Sequence, residues 1–317
     1  MIQATYGEAE EVEATRAAAQ RMGVGYEPIL FSRDQSLART LLYGGGRLGA
    51  AVLSRSFRRD EVIMARSLVP AAMCMASGVP SRRFVFDADG LVADERVEFA
   101  GWNPAGMPYR ASRAVERRAL RHANVSLTRT VAARDILVER GGVSPRRVLV
   151  AGNGSDVNRF QPLGEERRRE GRRALGISDS DCLVVYCGSI GPQYHPKLMA
   201  TFVKALRRTR APGAVHFLVL SAAEEQAKAL LADAGCDTTT GHHRVLAPND
   251  VPTHIGLADI GLALREPSLS QRAVAPIKVG EYLLCGVPVL ANTGVGDLDT
   301  QLGPNDSLLV SRLDADH

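Results

Sequence analysis

Three groups of residues have the types and spacing that chemistry needs. Asp87 and Asp89 stand one residue apart behind the apolar run Phe84-Val85-Phe86. Two carboxylates so placed can share a Mg²⁺ or Mn²⁺ ion that neutralises a departing diphosphate. An Asp in this position is as readily a solvent-facing turn residue. Gly188 and Gly191 follow a second apolar run, residues 183–186. Glycines at a strand end let backbone N–H groups approach a phosphate, and the helix after them turns its positive end to the anion. The same glycines also serve an ordinary tight turn between strand and helix. Lys278 and Glu281 come three apart behind Pro276, which suits the first turn of a helix reaching Leu284. A lysine there can neutralise phosphate, and a carboxylate can accept both hydroxyls of a ribose. The plainer alternative is a surface ion pair three residues apart.

The elements that must position these groups follow from the alternation of short apolar runs and longer amphipathic ones. A helix is predicted over residues 8–22 and a strand over 27–31. Further strands are predicted at 62–64, 84–86, 125–127 and 148–151. Helices are clearest at 112–123 and 130–140, the second closed by Gly141-Gly142 as a C-cap. Polar sequence from Leu163 to Asp181 breaks the rhythm. A second series of strands follows at 183–186, 216–220, 244–246, 260–264 and 287–290. Strands separated by helices imply βαβ units and parallel sheets. Ligands of such sheets collect at the carboxyl ends of the strands. Arg66, Asp87 and Thr128 hold such ends in the first series, and Gly188 and Arg265 in the second. If the two sheets face each other, the two rows line one cleft.

Composition narrows the classes. The chain has 317 residues, 45% apolar and 23% charged, enough for one large domain or two ordinary ones. No apolar run is long enough to cross a membrane, and the acidic start does not read as a signal peptide. Five scattered cysteines without a CxxC pair exclude a zinc ribbon and point to reduced thiols in a cytosol. The basic residues are 35 Arg to 4 Lys, a ratio read first as codon bias. Their crowding between Arg110 and Arg173 reads as a solvated face. It would also attract phosphate-bearing ligands or the surface of an anionic membrane, as a peripheral contact. Aromatics are only 5% and do not interleave with the arginines, so nucleic acid is not an expected partner.

Three resemblances bear on function. The segment FVFDADGLVADE, residues 84–95, resembles the opening motif of haloacid-dehalogenase-like phosphatases, where the first Asp is a nucleophile and the second a general acid beside Mg²⁺. Here it lies far inside the chain, and Leu91 replaces the expected Thr. The same Asp-Ala-Asp resembles the metal-binding motif of GT-A glycosyltransferases, which would leave the second strand series unexplained. The third resemblance runs in order over about residues 60–305. Residues 121–162 carry Asn153-Gly154, Asp156, Phe160 and Pro162 in the register of glycosyltransferase family 4. Residues 258–298 carry its donor-binding pieces at Pro276, Lys278, Glu281, Tyr282, Leu283, Gly286, Pro288, Val289, Gly294, Gly296 and Asp297.

That third resemblance implies an α/β chain of GT-B fold, two Rossmann-like parallel-sheet domains facing a cleft. Residues 1–163 would bind the acceptor, 164–181 would link, and 182–317 would bind the donor. It implies a retaining, metal-independent transferase of hexosyl type that moves a sugar from a nucleotide-sugar donor to an unspecified acceptor hydroxyl, with no cofactor. It assigns Lys278 to catalysis, and position at a strand end adds Asp87. Gly188, Ser189, Gly191, Val245, Lys278 and Glu281 go to the nucleotide sugar, and the strand ends Arg66 and Thr128 to the acceptor side. Departures are specific. Ala273 stands where the first glutamate of the family's E-x7-E belongs. Tyr194, His195 and Lys197 occupy the neighbourhood of its usual Arg and Lys. Asp89 replaces the arginine of its FDxRG segment. Only residues 1–7 precede the first helix, so the opening strand is expected to be short or missing, and the closing helices to be missing. These departures keep a non-catalytic nucleotide-sugar-binding subunit as the alternative.

Overall fold

Eleven helices and twelve strands alternate through a computed structural model that describes residues 2–5, 9–30, 62–209, 213–303 and 307–310. Glu8 and Phe31, the ends of two expected elements, lie outside the described residues. The first half runs β1 (Ile2–Thr5), α1 (Ala9–Arg21), β2 (Glu27–Leu30), β3 (Ile63–Arg66), α2 (Leu68–Ala76), β4 (Phe84–Asp87), α3 (Val92–Ala100), α4 (Met107–His122), β5 (Val125–Thr128), α5 (Val131–Gly141) and β6 (Val148–Val150). The opening strand is present, four residues long, and pairs in parallel with β2. Strands β3-β4-β5-β6 form a separate four-stranded sheet in sequence order. Its register sets Arg66 opposite Asp87, and Asp87 opposite Leu127. Phe84 and Phe86 are fully buried on alternate positions of β4. α4 starts at Met107, five residues before the expected start, because Pro108 fits its first turn. Gly142, in left-handed backbone at φ 62°, follows the end of α5.

The second half runs α6 (Glu165–Ala174), β7 (Cys182–Cys187), α7 (Pro196–Thr209), β8 (Val215–Leu220), α8 (Glu224–Asp233), β9 (Gly241–Arg244), α9 (Val251–Ile255), β10 (Ile260–Ala263), α10 (Ile277–Leu284), β11 (Val289–Asn292), α11 (Leu298–Gln301) and β12 (Ser307–Val310). Its six strands lie in the order β12-β11-β10-β7-β8-β9, and every pair is parallel. The chain lays down β7, β8 and β9 outward, then returns to the other side of β7 with β10. That reversal makes β7/β10 the topological switch point. Both faces of the sheet are covered, so its strands read as continuous apolar runs. Leu183, Val185, Leu218, Ala263 and Val289 point into one core, and Val184, Tyr186, Phe217, Val219 and Leu262 into the other.

Two details depart from the sequence reading. β9 ends at Arg244, where the expected strand begins. Asp237 accepts from the N–H groups of Thr239 and Thr240 at 3.0 and 2.9 Å, and its carbonyl from Gly241, so the strand starts directly after that turn. Val245 therefore lies beyond the strand, exposed. The Arg-rich run is not wholly a solvated face either. Arg172 is buried and donates to the carbonyls of Leu257 and Asp181 and to the carboxylate of Asp259, at 2.9–3.0 Å. It ties α6 to the starts of β7 and β10.

By density of contacts the chain divides into two units. One comprises Met1–Ala88, Ala111–Leu127 and Glu139–Val148; the other comprises Asp89–Arg110, Thr128–Val138 and Leu149–His317. All five cysteines are free thiols. Among the described residues no helix is long and apolar enough to cross a membrane.

Candidate functional site

At the carboxyl end of β7 the chain turns through Gly188, whose φ of 132° lies where only glycine is at ease. A Cβ at this position would stand 3.3 Å from the Lys278 ammonium, so the glycine loop and the lysine of α10 meet. The phenol of Tyr186 donates to the Ser189 carbonyl and shapes the loop. Gly191 opens a short 3-10 turn, with Tyr194 N–H bonded back to its carbonyl at 2.9 Å. The backbone N–H of Cys187 is held by the Tyr282 hydroxyl at 2.9 Å, which fixes the end of β7 against α10.

Lys278 lies against two rings. Its ammonium is 4.1 Å from the centroid of Tyr186 and 4.8 Å from that of Tyr194. On Tyr194 the Arg265 guanidinium also packs, 4.7 Å from the centroid. Arg265 leaves the end of β10, the other side of the switch point. Its backbone N–H donates to Asn292 at 2.8 Å, and its Nε donates to the Gln271 side chain. Burial, with the Arg265 charge nearby, pulls the Lys278 pKa down to about 7. The loop after β7 is tied to the segment after β10 twice more: His195 pairs with Glu266 at 3.2 Å, and Glu266 N–H donates to Gln193 O at 3.0 Å.

Lys278 and Glu281 share α10 but form no ion pair with each other. Burial raises the Glu281 carboxyl above its ordinary value, opposed by the charges of Arg159 and Lys278. Gly188, Ser189, Gly191 and Lys278 are thus brought together, with Glu281 one turn further along the same helix. Val245 is not among them, for it follows the edge strand β9. Arg66, Asp87 and Thr128 end β3, β4 and β5 of the other sheet. Arg66 is exposed; Asp87 and Thr128 are buried, and the Thr128 hydroxyl has no hydrogen-bond partner among the described residues. Asp89, in left-handed backbone, accepts from Arg129 at 3.3 Å. Sequence reasoning missed Tyr186 as a member of the site. It placed Arg265 at a strand end and Tyr194 where the usual cations belong, but gave neither a role beside Lys278.

No protein-family model matches the chain, and no curated protein matches it. Solved structures do. Anabaena HepE in complex with UDP superposes with a TM-score of 0.67 at 14% identity, over 99% of this chain and 79% of that one. A glycosyltransferase from Rickettsia africae gives 0.69 at 11% identity, over 99% and 76%. WaaG, a glycosyltransferase involved in lipopolysaccharide biosynthesis, gives 0.67 at 15% identity, over 99% and 87%. The chain has the α/β fold of the GT-B glycosyltransferases, the fold that its resemblance to glycosyltransferase family 4 implied.

Proposed function

We propose that this chain is a retaining glycosyltransferase that binds a nucleotide sugar at the β7/β10 switch point. The observation that carries the reading is the meeting of Gly188 with Lys278, beside Arg265, at the place where a parallel sheet binds ligands. The HepE structures with UDP and with UDP-glucose support a donor of this class. Glu281 accepts the ribose hydroxyls and Lys278 neutralises the diphosphate. The acceptor hydroxyl attacks from the face that the diphosphate leaves: the bond from the anomeric carbon to the diphosphate oxygen breaks, the bond to the hydroxyl oxygen forms, and the hydroxyl proton passes to the departing diphosphate. Charge grows on the leaving group, where the Lys278 ammonium, the amides of residues 188–191 and the start of α10 stabilise it without rearranging. Asp87, with Arg66 and Thr128, is assigned to the acceptor. No metal takes part.

One observation favours the alternative of a non-catalytic binding subunit: Ala273, in place of a donor-contacting glutamate, is buried in a short turn and offers no polar group. Turnover decides between them. Incubation with a panel of nucleotide sugars and acceptors is expected to release nucleoside diphosphate at a rate unchanged by EDTA. Binding without turnover would establish the subunit. Activity lost to EDTA and restored by Mn²⁺ or Mg²⁺ would move the chemistry to Asp87 and Asp89.

A further inference from the structure

Arg265 is 9% exposed, and among the described residues no carboxylate pairs with it or with Lys278. The two cations face the same Tyr194 ring. A buried cation such as Arg265 is costly without a paired carboxylate and asks for a partner. The missing partner is an anion that both can reach. The Arg265 fork is also aimed. Its Nε is taken by Gln271, which is fully buried in the turn Ser270–Ala273, so the plane of the guanidinium is set by that turn. The turn itself is clamped from α3. The Glu98 carboxylate accepts from the Ser270 N–H at 3.2 Å and from the Ser268 hydroxyl at 2.7 Å. On its other side the Thr130 hydroxyl donates to the Arg272 carbonyl at 2.7 Å.

We propose that Arg265 is the second diphosphate-binding cation of the site, and that Glu98 is a positioning residue that fixes its guanidinium through the Ser270-Gln271 turn. This rests on the nucleotide-sugar reading for the identity of the ligand, but not for the anion itself. A guanidinium adds what the Lys278 ammonium lacks, a planar fork that matches two phosphate oxygens at once. Both cations pack on the Tyr194 ring, 4.7 Å and 4.8 Å from its centroid.

The test is calorimetric titration of the full chain with inorganic pyrophosphate, UDP, UMP and uridine, with folding followed by circular dichroism. Arg265→Gln is expected to weaken pyrophosphate and UDP by at least about tenfold, UMP by less, and uridine not at all. Glu98→Gln is expected to weaken the same ligands in the same order by about threefold or more, as a displaced fork would. If Arg265→Gln does not fold, Arg265→Lys keeps the charge without the fork and is expected to lose affinity for pyrophosphate and UDP only. UDP binding equal to wild type in folded Arg265 variants would overturn the proposal and leave the nucleotide-sugar reading standing. Pyrophosphate binding through Arg265 without any nucleotide binding would sustain the proposal and overturn that reading. Loss of uridine together with the phosphates in Glu98→Gln would overturn the positioning role. A wild-type chain that binds none of the four would overturn both.

Discussion

Lys278 and Glu281 sit on one helix but have separate environments, and substitution should separate them. Glu281 lies half-buried without a salt bridge, so its carboxylate is free to take two hydroxyls in charge-assisted bonds. Glu281→Ala is expected to cost about tenfold or more in affinity for a ribonucleotide, and much less for its dideoxy analogue. Lys278→Ala is expected to penalise the diphosphate far more than the nucleoside. Equal affinities across diphosphate, nucleoside and dideoxy ligands would remove both residues from the site. Acidity adds a second handle. Burial, with the Arg265 charge nearby, pulls the Lys278 pKa down to about 7, below the ordinary lysine range. An anion binds the ammonium, so binding draws in a proton above that value. Diphosphate affinity is therefore expected to fall as pH rises from 7 to 9, by at most about tenfold per unit, while uridine affinity stays level. A flat diphosphate profile over that window would refute it. The pairing of Lys278 with Gly188 was legible, because spacing along one strand and one helix constrains both. Tyr186 was not, since an aromatic inside an apolar strand reads as core. Arg265 was legible as a strand end but not as a neighbour of Lys278, which only the shared Tyr194 ring reveals.

Elements were legible wherever an apolar run and its flanking turn agreed, as in β4, β7, β8 and α10. β9 slipped because Val245 and Leu246 continue the apolar pattern past the point where pairing with β8 ends. Helix α5 shows a kind of cap that sequence cannot disclose. The Asp297 carboxylate accepts from the N–H groups of Val131 at 2.8 Å and Ala132 at 3.4 Å, at the exposed start of a helix 166 positions away in the chain. In the sequence Asp297 reads as the end of a donor-binding glycine motif; in the structure its oxygens hold a helix. Asp297→Ala is expected to destabilise the protein by about 1 kcal/mol, the usual worth of an N-cap, and Asp297→Asn by less. Urea denaturation of the two variants measures this, and no loss in Asp297→Ala would show the cap to be energetically silent.

At the scale of the molecule, the two strand series were legible because each βα unit announces itself locally. The order β12-β11-β10-β7-β8-β9 was not, since nothing near β10 says on which side of β7 it will return. That order decides which loops become neighbours, and so which residues make the site.

The second unit takes residues 89–110 and 128–138 from the half of the chain that otherwise builds the first. Its boundaries in space are not its boundaries in the gene. A C-terminal half transplanted by recombination would arrive with Gly188, Arg265 and Lys278 but without Glu98, Thr130 and the helix that Asp297 caps. The setting of Arg265 in such a chimera would depend on what the recipient happens to carry at those positions. Glu98 and the 268–270 segment thus make one structural unit, although 170 positions separate Glu98 from Ser268.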